Sequence, residues 1–314
     1  MTPRTYVAPV SFGIGDLVVS LPAVQAVIAE GTRTGAETWL VARSPAQALL
    51  AERIDGLTGC VPEEGFDPDE PAAHCGRLVD LRDHPLQRDH WWGSAEFVQA
   101  YGRIGINDIL SRICADLGID ADFTRPVALR AFPRPDVRDT VLLLTETDGP
   151  SKRWPAPRWE ALAAKIRASG ATVRRVVRSA ESVRAGGDSD SDSTGAIVDE
   201  VEAPTPGDAV DILTSCRAVV GVDTGLTHIA AQQGTATITM SRPDNVFFRP
   251  WRHCRLVAGA PCDPACATLE KAHAHNRHVD LRDFRWEPRD CPTGASCLEP
   301  IEPEEVLDVL RGLL

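Results

Sequence analysis

Positive charge is scarce in this sequence, and lysine scarcest of all. Only Lys152, Lys165 and Lys271 occur, against 30 arginines, and the acidic excess leaves a formal charge of −12 and a pI of about 5.1. Such a balance offers no basic face to duplex nucleic acid or to an anionic membrane, so neither is expected as a partner. No apolar run approaches the roughly 20 residues that span a bilayer. Residues 1–30 also lack a basic leader followed by an apolar stretch and a cleavage site. The expected setting is therefore cytoplasmic. An even set of cysteines is missing too: nine cysteines without a secretory leader favour thiols or a metal site over a disulfide framework.

What is present is length and alternation. At 314 residues the chain is long for one core, which predicts two domains of roughly 130–170 residues each. In the first half, strand-like runs alternate with helical patterns: Tyr6 to Phe12 then Leu17 to Glu30, Thr38 to Ala42 then Pro45 to Ile54, and Arg77 to Leu81 then Ile106 to Leu117. This order implies an α/β fold with a parallel sheet covered by helices. Prolines at 126, 133 and 135 interrupt it and place a linker within Arg125 to Arg138. A second alternation follows: Val141 to Thr145, Trp159 to Ala168, Thr172 to Val177, Asp208 to Cys216, Ala218 to Val222, Leu226 to Gln233, Thr235 to Met240 and Arg255 to Ala258. The Gly186 to Ser193 stretch is charged and low in complexity, which reads as a solvated loop. Pro303 to Leu314 reads as a closing helix.

Within the second half, the apolar run Ala218 to Val222 leads directly into Asp223-Thr224-Gly225. An aspartic protease begins its active site in the same way, but it needs two such carboxylates sharing one proton. No second Asp-Thr/Ser-Gly follows a strand. The near match Asp192-Ser193-Thr194-Gly195 carries an inserted residue within the acidic loop. The alternative is local: a strand, a glycine turn, and a helix whose first N–H groups are unpaired and attract phosphate oxygens. There Gly225 admits a ligand to the backbone, Asp223 is placed to cap the first turn, and His228 lies one turn in. The plainer reading of the same residues is a capping Asp and a partly buried His.

Two further stretches share that design. Ser11-Phe12-Gly13-Ile14-Gly15-Asp16 again runs from strand to helix, with Val18 where a dinucleotide fingerprint has its third glycine. A carboxylate at a helix start repels phosphate and suits taking a proton, or it merely favours the helix dipole. Pro150-Ser151-Lys152-Arg153-Trp154-Pro155 puts two cations on a short turn within reach of a diphosphate at the Asp223 loop.

Together these three blocks resemble the heptosyltransferases, glycosyltransferase family 9. The resemblance lies in Gly13, Gly15 and Asp16 followed by Leu21-Pro22-Ala23, in Lys152-x-Trp154-Pro155, and in Asp223-Thr224-Gly225-x-x-His228. Pro243, Asp244, Arg249 and Pro250 stand for a later turn and Arg-Pro. It implies a GT-B architecture, two Rossmann-like lobes with parallel sheets facing across a cleft. Residues 1–132 would take the acceptor, 133–301 the nucleotide-diphosphate sugar, and 302–314 would form the closing helix. It further implies inverting transfer without a catalytic metal. Asp16 would act as base in an acceptor loop with Gly13 and Gly15. The donor, an ADP-sugar in the first instance, would be held by Lys152, Asp223, Thr224, Gly225, Leu226 and His228, with Lys152 and the Thr224 and Gly225 amides stabilising the departing diphosphate. A catalytically silent nucleotide- or partner-binding relative is the alternative. Ser241 stands where family members often have Gly, and Asp199, Glu200 and Glu202 share the claim to the nucleobase side.

The acceptor leaves little trace. The stretch LRDHPLQRDHWW, ending at Trp92, sets mixed charge beside two tryptophans that either stack on sugar rings or pack inside the lobe. An Arg-rich, Lys-poor composition suggests a high-GC bacterial gene, so natural-product and surface-glycan acceptors are both expected. Cys262, Cys266, Cys291 and Cys297 flank His273, His275 and His278. These four soft ligands fit a structural zinc or iron site, or they remain reduced thiols. Iron bound through four cysteines in autotransporter heptosyltransferases adds weight to the metal.

Overall fold

The structure is a computed structural model, and it describes residues 2–64, 66, 76–88, 92, 95–147, 152–177, 198–243, 245–249, 251–260 and 296–314. The chain forms two compact units and passes from the first to the second between Arg130 and Ala131.

The first unit opens with β1 (Arg4–Ala8), α1 (Ile14–Thr34), β2 (Glu37–Ala42), α2 (Pro45–Ala51), β3 (Gly59–Pro62) and β4 (Gly76–Asp80). Three helices follow: α3 (Pro85–Arg88), α4 (Ala95–Tyr101) and α5 (Ile106–Asp116). The strands pair in parallel in the order β3-β2-β1-β4. Val7 lies between Leu40 and Val79 in register. β1 to β3 build outward in one direction and β4 returns to the other side of β1, so the strand order reverses between β1 and β4. Ligands of open α/β sheets bind outside the carboxyl ends of the strands at such a reversal.

Helix α1 is 21 residues long and apolar enough in composition to cross a bilayer, which corrects the expectation that no segment has that length. Its apolar side chains face protein. Leu17, Val18, Val19, Leu21, Val24, Val27 and Ile28 are buried, and the helix packs on β1, β2, α2 and α5. Trp92 is likewise core: it is 1% exposed and its indole N–H donates to the Leu86 carbonyl at 2.7 Å. Trp91 lies outside the described residues.

The second unit contains β5 (Thr140–Leu144), α6 (Ala156–Ala168), β6 (Thr172–Val177), β7 (Asp199–Glu202), α7 (Pro206–Ser215), β8 (Ala218–Val222), α8 (Gly225–Gln232), β9 (Thr237–Ser241), β10 (Cys254–Ala258) and α9 (Pro303–Leu313). Its six parallel strands run β10-β9-β8-β5-β6-β7. Here the order reverses between β5 and β8. Strands β5 and β8 are buried along their whole lengths, as the centre of a sheet covered on both faces requires. Val141, Leu143, Val220, Val222, Ile238 and Met240 meet Trp154, Trp159 and Leu162 in one core, and α9 adds Val306, Leu307 and Leu310. Each such side chain, fully buried, contributes about 1.5–3 kcal/mol. The closing helix thus belongs to the core of this unit, and its Glu304 pairs with Lys165 on α6 at 2.6 Å.

Candidate active site

In the second unit, Lys152 follows β5 and Asp223 follows β8, the two strands between which the order reverses. The Lys-x-Trp spacing explains how Lys152 is placed. Trp154 is 2% exposed, packs edge-on against Trp159 with centroids 4.8 Å apart, and donates its indole N–H to the Ile301 carbonyl at 3.0 Å. With Trp154 anchored, the Lys152 ammonium meets Asp223 Oδ2 at 3.1 Å and the Asp223 carbonyl at 3.2 Å. The other carboxylate oxygen, Oδ1, lies 3.1 Å from His228 Nε2, which must donate to it. Burial by itself would raise the Asp223 pKa. The charge of Lys152, followed by the hydrogen bond and charge of His228, overcomes that and holds the carboxyl well below the usual carboxylate range.

Asp223 is therefore spent on Lys152 and His228 and does not cap the helix. The N-cap of α8 is Thr224, in extended conformation. This corrects the expected capping role, and it also corrects one donor-binding amide: the Thr224 N–H donates to Thr227 Oγ1 at 3.1 Å. The first intrahelical bond runs from the His228 N–H to the Thr224 carbonyl, so the helix itself leaves the Gly225 and Leu226 N–H groups unclaimed. Beside them Thr224 Oγ1 is buried and has no hydrogen-bond partner among the described residues. An ammonium carries three donors, two of which Lys152 uses on Asp223. The site thus offers a third ammonium N–H, a hydroxyl, two amides and the positive end of a helix dipole, a set suited to a diphosphate. Its rim includes two residues that the sequence did not announce, Asn245 and Phe247. Ser241 Oγ accepts from Asn245 Nδ2 at 2.9 Å, Asn245 Oδ1 accepts the Phe247 N–H at 2.9 Å, and Phe247 stands edge-on to His228 at 6.2 Å.

Other expected residues fall elsewhere. Arg249 is 4% exposed, donates to Gln232 Oε1 at 2.8 Å and lies 4.8 Å above the Trp251 ring. Burial lowers its pKa to about 9. Gln232 ends α8, so Arg249 sits at the opposite end of that helix from Thr224. Asp199, Glu200 and Glu202 lie on the edge strand β7, where Glu200 pairs with Arg175. Asp244, Pro250, Cys262, Cys266 and Cys291 lie outside the described residues, as do His273, His275 and His278. Of the expected metal ligands only Cys297 is described, and among the described residues no group of three potential ligands gathers.

In the first unit, Asp16 follows β1 and is the third residue of α1. Its Oδ2 accepts the Gly13 N–H at 2.9 Å. A Cβ at Gly13 would itself stand 2.9 Å from that oxygen, which accounts for glycine there. Charged residues cluster at the ends of the neighbouring strands. Arg43 donates to Glu63 Oε2 at 2.7 Å, and Arg82 holds both oxygens of Asp80, at 2.7 and 2.6 Å, and also pairs with Glu63. Burial lowers the Arg43 pKa, while the charges of Asp80 and Asp16 oppose the shift. Arg82 is brought down to about 10, chiefly by burial and then by the charge of Arg43. Burial raises Asp80.

Comparison with known proteins follows the same lines. The family described as Glycosyltransferase family 9 (heptosyltransferase) matches residues 112–274. Among solved structures, the E. coli heptosyltransferase WaaC with ADP superposes with a TM-score of 0.61 at 14% identity, covering 99% of this chain and 100% of that one. The E. coli ADP-heptose lps heptosyltransferase II gives 0.58 at 15% identity, with coverage of 100% and 98%. A family 9 glycosyl transferase from Veillonella parvula DSM 2008 gives 0.61 at 13% identity, with 99% and 96%. These likenesses establish the GT-B fold. No curated protein matches the sequence.

Proposed function

Because the chain belongs to glycosyltransferase family 9, we propose that it moves a sugar, heptose-like or other, from a nucleotide-diphosphate sugar to a hydroxyl of a glycan or natural-product acceptor, with inversion at the anomeric carbon. The observation that carries this reading is the set of donors converging after β5 and β8: the Lys152 ammonium fixed by Asp223, the Gly225 and Leu226 amides that the helix itself does not use, and the buried Thr224 hydroxyl, without a partner among the described residues. Each is a preorganised dipole or charge directed at oxygens that gain negative charge as the sugar leaves. Asp223 makes the arrangement rigid, since one carboxylate orients both Lys152 and His228.

The chemistry is a single displacement. The acceptor oxygen forms its bond to the anomeric carbon as the carbon–oxygen bond to the diphosphate breaks, and that electron pair departs with the diphosphate. The acceptor proton passes to the Asp16 carboxylate, which the Gly13 N–H orients through Oδ2. An ADP-sugar is the first donor to try, because the similar WaaC was solved with ADP.

Calorimetric titration of the protein with ADP-, GDP-, UDP- and dTDP-sugars tests the reading. One saturable donor, with diphosphate released on incubation with an acceptor, is the expected result. Absence of binding across all four would sink it.

A further inference from the structure

The turn between β2 and α2 grips the loop that carries Asp16. Gln47 is fully buried. Its Nε2 donates to the Ser11 carbonyl at 2.8 Å and to the Gly13 carbonyl at 2.9 Å, while its Oε1 accepts the Arg43 N–H at 3.0 Å. Ser44 Oγ donates to the carbonyl between them, Phe12, at 2.9 Å and accepts the Gln47 N–H at 3.3 Å. Three successive carbonyls of one loop are thus held by two side chains of one turn. Gly13 is fixed from both sides, its carbonyl by Gln47 and its N–H by the Asp16 carboxylate. The Arg43 backbone sits in the same turn, and its side chain, 7% exposed and tied to Glu63, lies within the field of Asp16.

From this chain of contacts we propose that Gln47, assisted by Ser44, is a positioning residue for Asp16: it fixes the Gly13 peptide, and the Gly13 N–H fixes the carboxylate. The inference rests on the reading of Asp16 as the acceptor-side base. A base that acts in the transition state must be held within a few tenths of an ångström, and misplacement by about 1 Å costs on the order of 100-fold in rate. A glycine-containing loop at a helix start has little rigidity of its own, and a buried amide with three hydrogen bonds supplies it. The hydrogen bonds of the Gln47 side chain run to Ser11, Gly13 and Arg43, all within the first unit, so its loss should spare donor binding.

Gln47→Met keeps the volume and removes the amide. In the full-length protein three measurements are compared: the Gly13 amide resonance, identified through its loss in Gly13→Ala; ADP affinity; and ADP release from an ADP-sugar, with water as acceptor where no other is known. The expected result is a Gly13 amide displaced in the same direction as in Asp16→Asn, turnover lowered by about tenfold or more, and ADP affinity within about twofold of the parent. The double variant with Asp16→Asn should turn over no more slowly than Asp16→Asn alone, because one residue acts through the other. An unmoved Gly13 resonance, or losses that multiply in the double variant, would overturn the proposal, since a purely structural glutamine lowers stability without passing through Asp16. If Asp16→Asn itself retains parental turnover, the base assignment fails and the positioning role falls with it. Should Gln47→Met not fold, Ser44→Ala removes one carbonyl tether and is read in the same way: the same displacement at smaller amplitude supports the proposal, and no displacement overturns it.

Discussion

Lys152→Ala removes an ammonium that lies 3.1 Å from Asp223 Oδ2 and 3.2 Å from its carbonyl oxygen. A hydrogen bond to a charged partner contributes about 1.5–3 kcal/mol, so the affinity for the nucleoside diphosphate of the preferred donor should fall by roughly 10- to 150-fold. Stability should fall less. Breaking a fully buried pair costs about 3–5 kcal/mol, but the Lys152 side chain is 44% exposed and water screens it. His228 also remains on the other carboxylate oxygen. About 1 kcal/mol is the reasonable expectation after that discount, or about 2–4 °C in Tm. The pH dependence has a definite sign. Asp223 is depressed below its unfolded pKa of about 3.9, so its stabilising contribution is complete above about pH 4 and is lost as pH falls through the folded value. The gap between parent and variant in urea melts should be flat from pH 8 to pH 5 and close below about pH 4. Diphosphate affinity within twofold of the parent, or a gap that widens with acid, would refute the reasoning.

Gly221→Ala places a Cβ 2.6 Å from Thr227 Cγ2 and 2.8 Å from Leu144 Cβ; overpacking of this kind costs about 1–3 kcal/mol. Donor affinity should drop with stability because Thr227 holds the Thr224 amide, and calorimetry beside urea melts would show the two effects together. Leu310→Ala, at a side chain 3% exposed, should cost about 2–5 kcal/mol without altering the affinity of the folded protein for its donor. Burial pushes the thiols of Cys114, Cys216 and Cys254 up to about 12. They should resist iodoacetamide at pH 8 in the native protein and react in urea, as peptide mass mapping would reveal.

The legible parts of the fold were those with a strong apolar period. Ala218–Val222 could be bounded from sequence because it is buried along its whole length in a covered sheet, and Thr172–Val177 because Val173 and Val176 are buried among β-branched neighbours. Gly59–Pro62 and Asp199–Glu202 escaped because each is only four residues long and buries little. The second buries only Val201 among four residues, and a single inward side chain leaves no alternation to detect. Near the site, residue types pointed to Asp223 and Lys152, but which group caps α8 depends on where competing partners lie. A carboxylate flanked by Lys152 and His228 is better used between them, and Thr224 occupies the N-cap position with its hydroxyl making no cap bond. Gln47 carried one readable signal, a Ser-Pro-x-Gln start to a helix. Its grip on a loop more than 30 residues earlier is a product of parallel strand pairing, which no local pattern encodes.

Lys152 and Asp223 are separated by 71 positions in the chain, and β5 reaches its neighbour β8 only after β6 and β7 have been laid down on its other side. During synthesis, a nascent chain that has emitted β5, Lys152 and α6 still lacks the strand and the carboxylate that would fix the ammonium. Closing that separation carries a loop entropy that long-range parallel pairing alone repays. The fixed Lys152–Asp223 pair, and with it the proposed donor site, therefore forms late, after most of the second unit has left the ribosome.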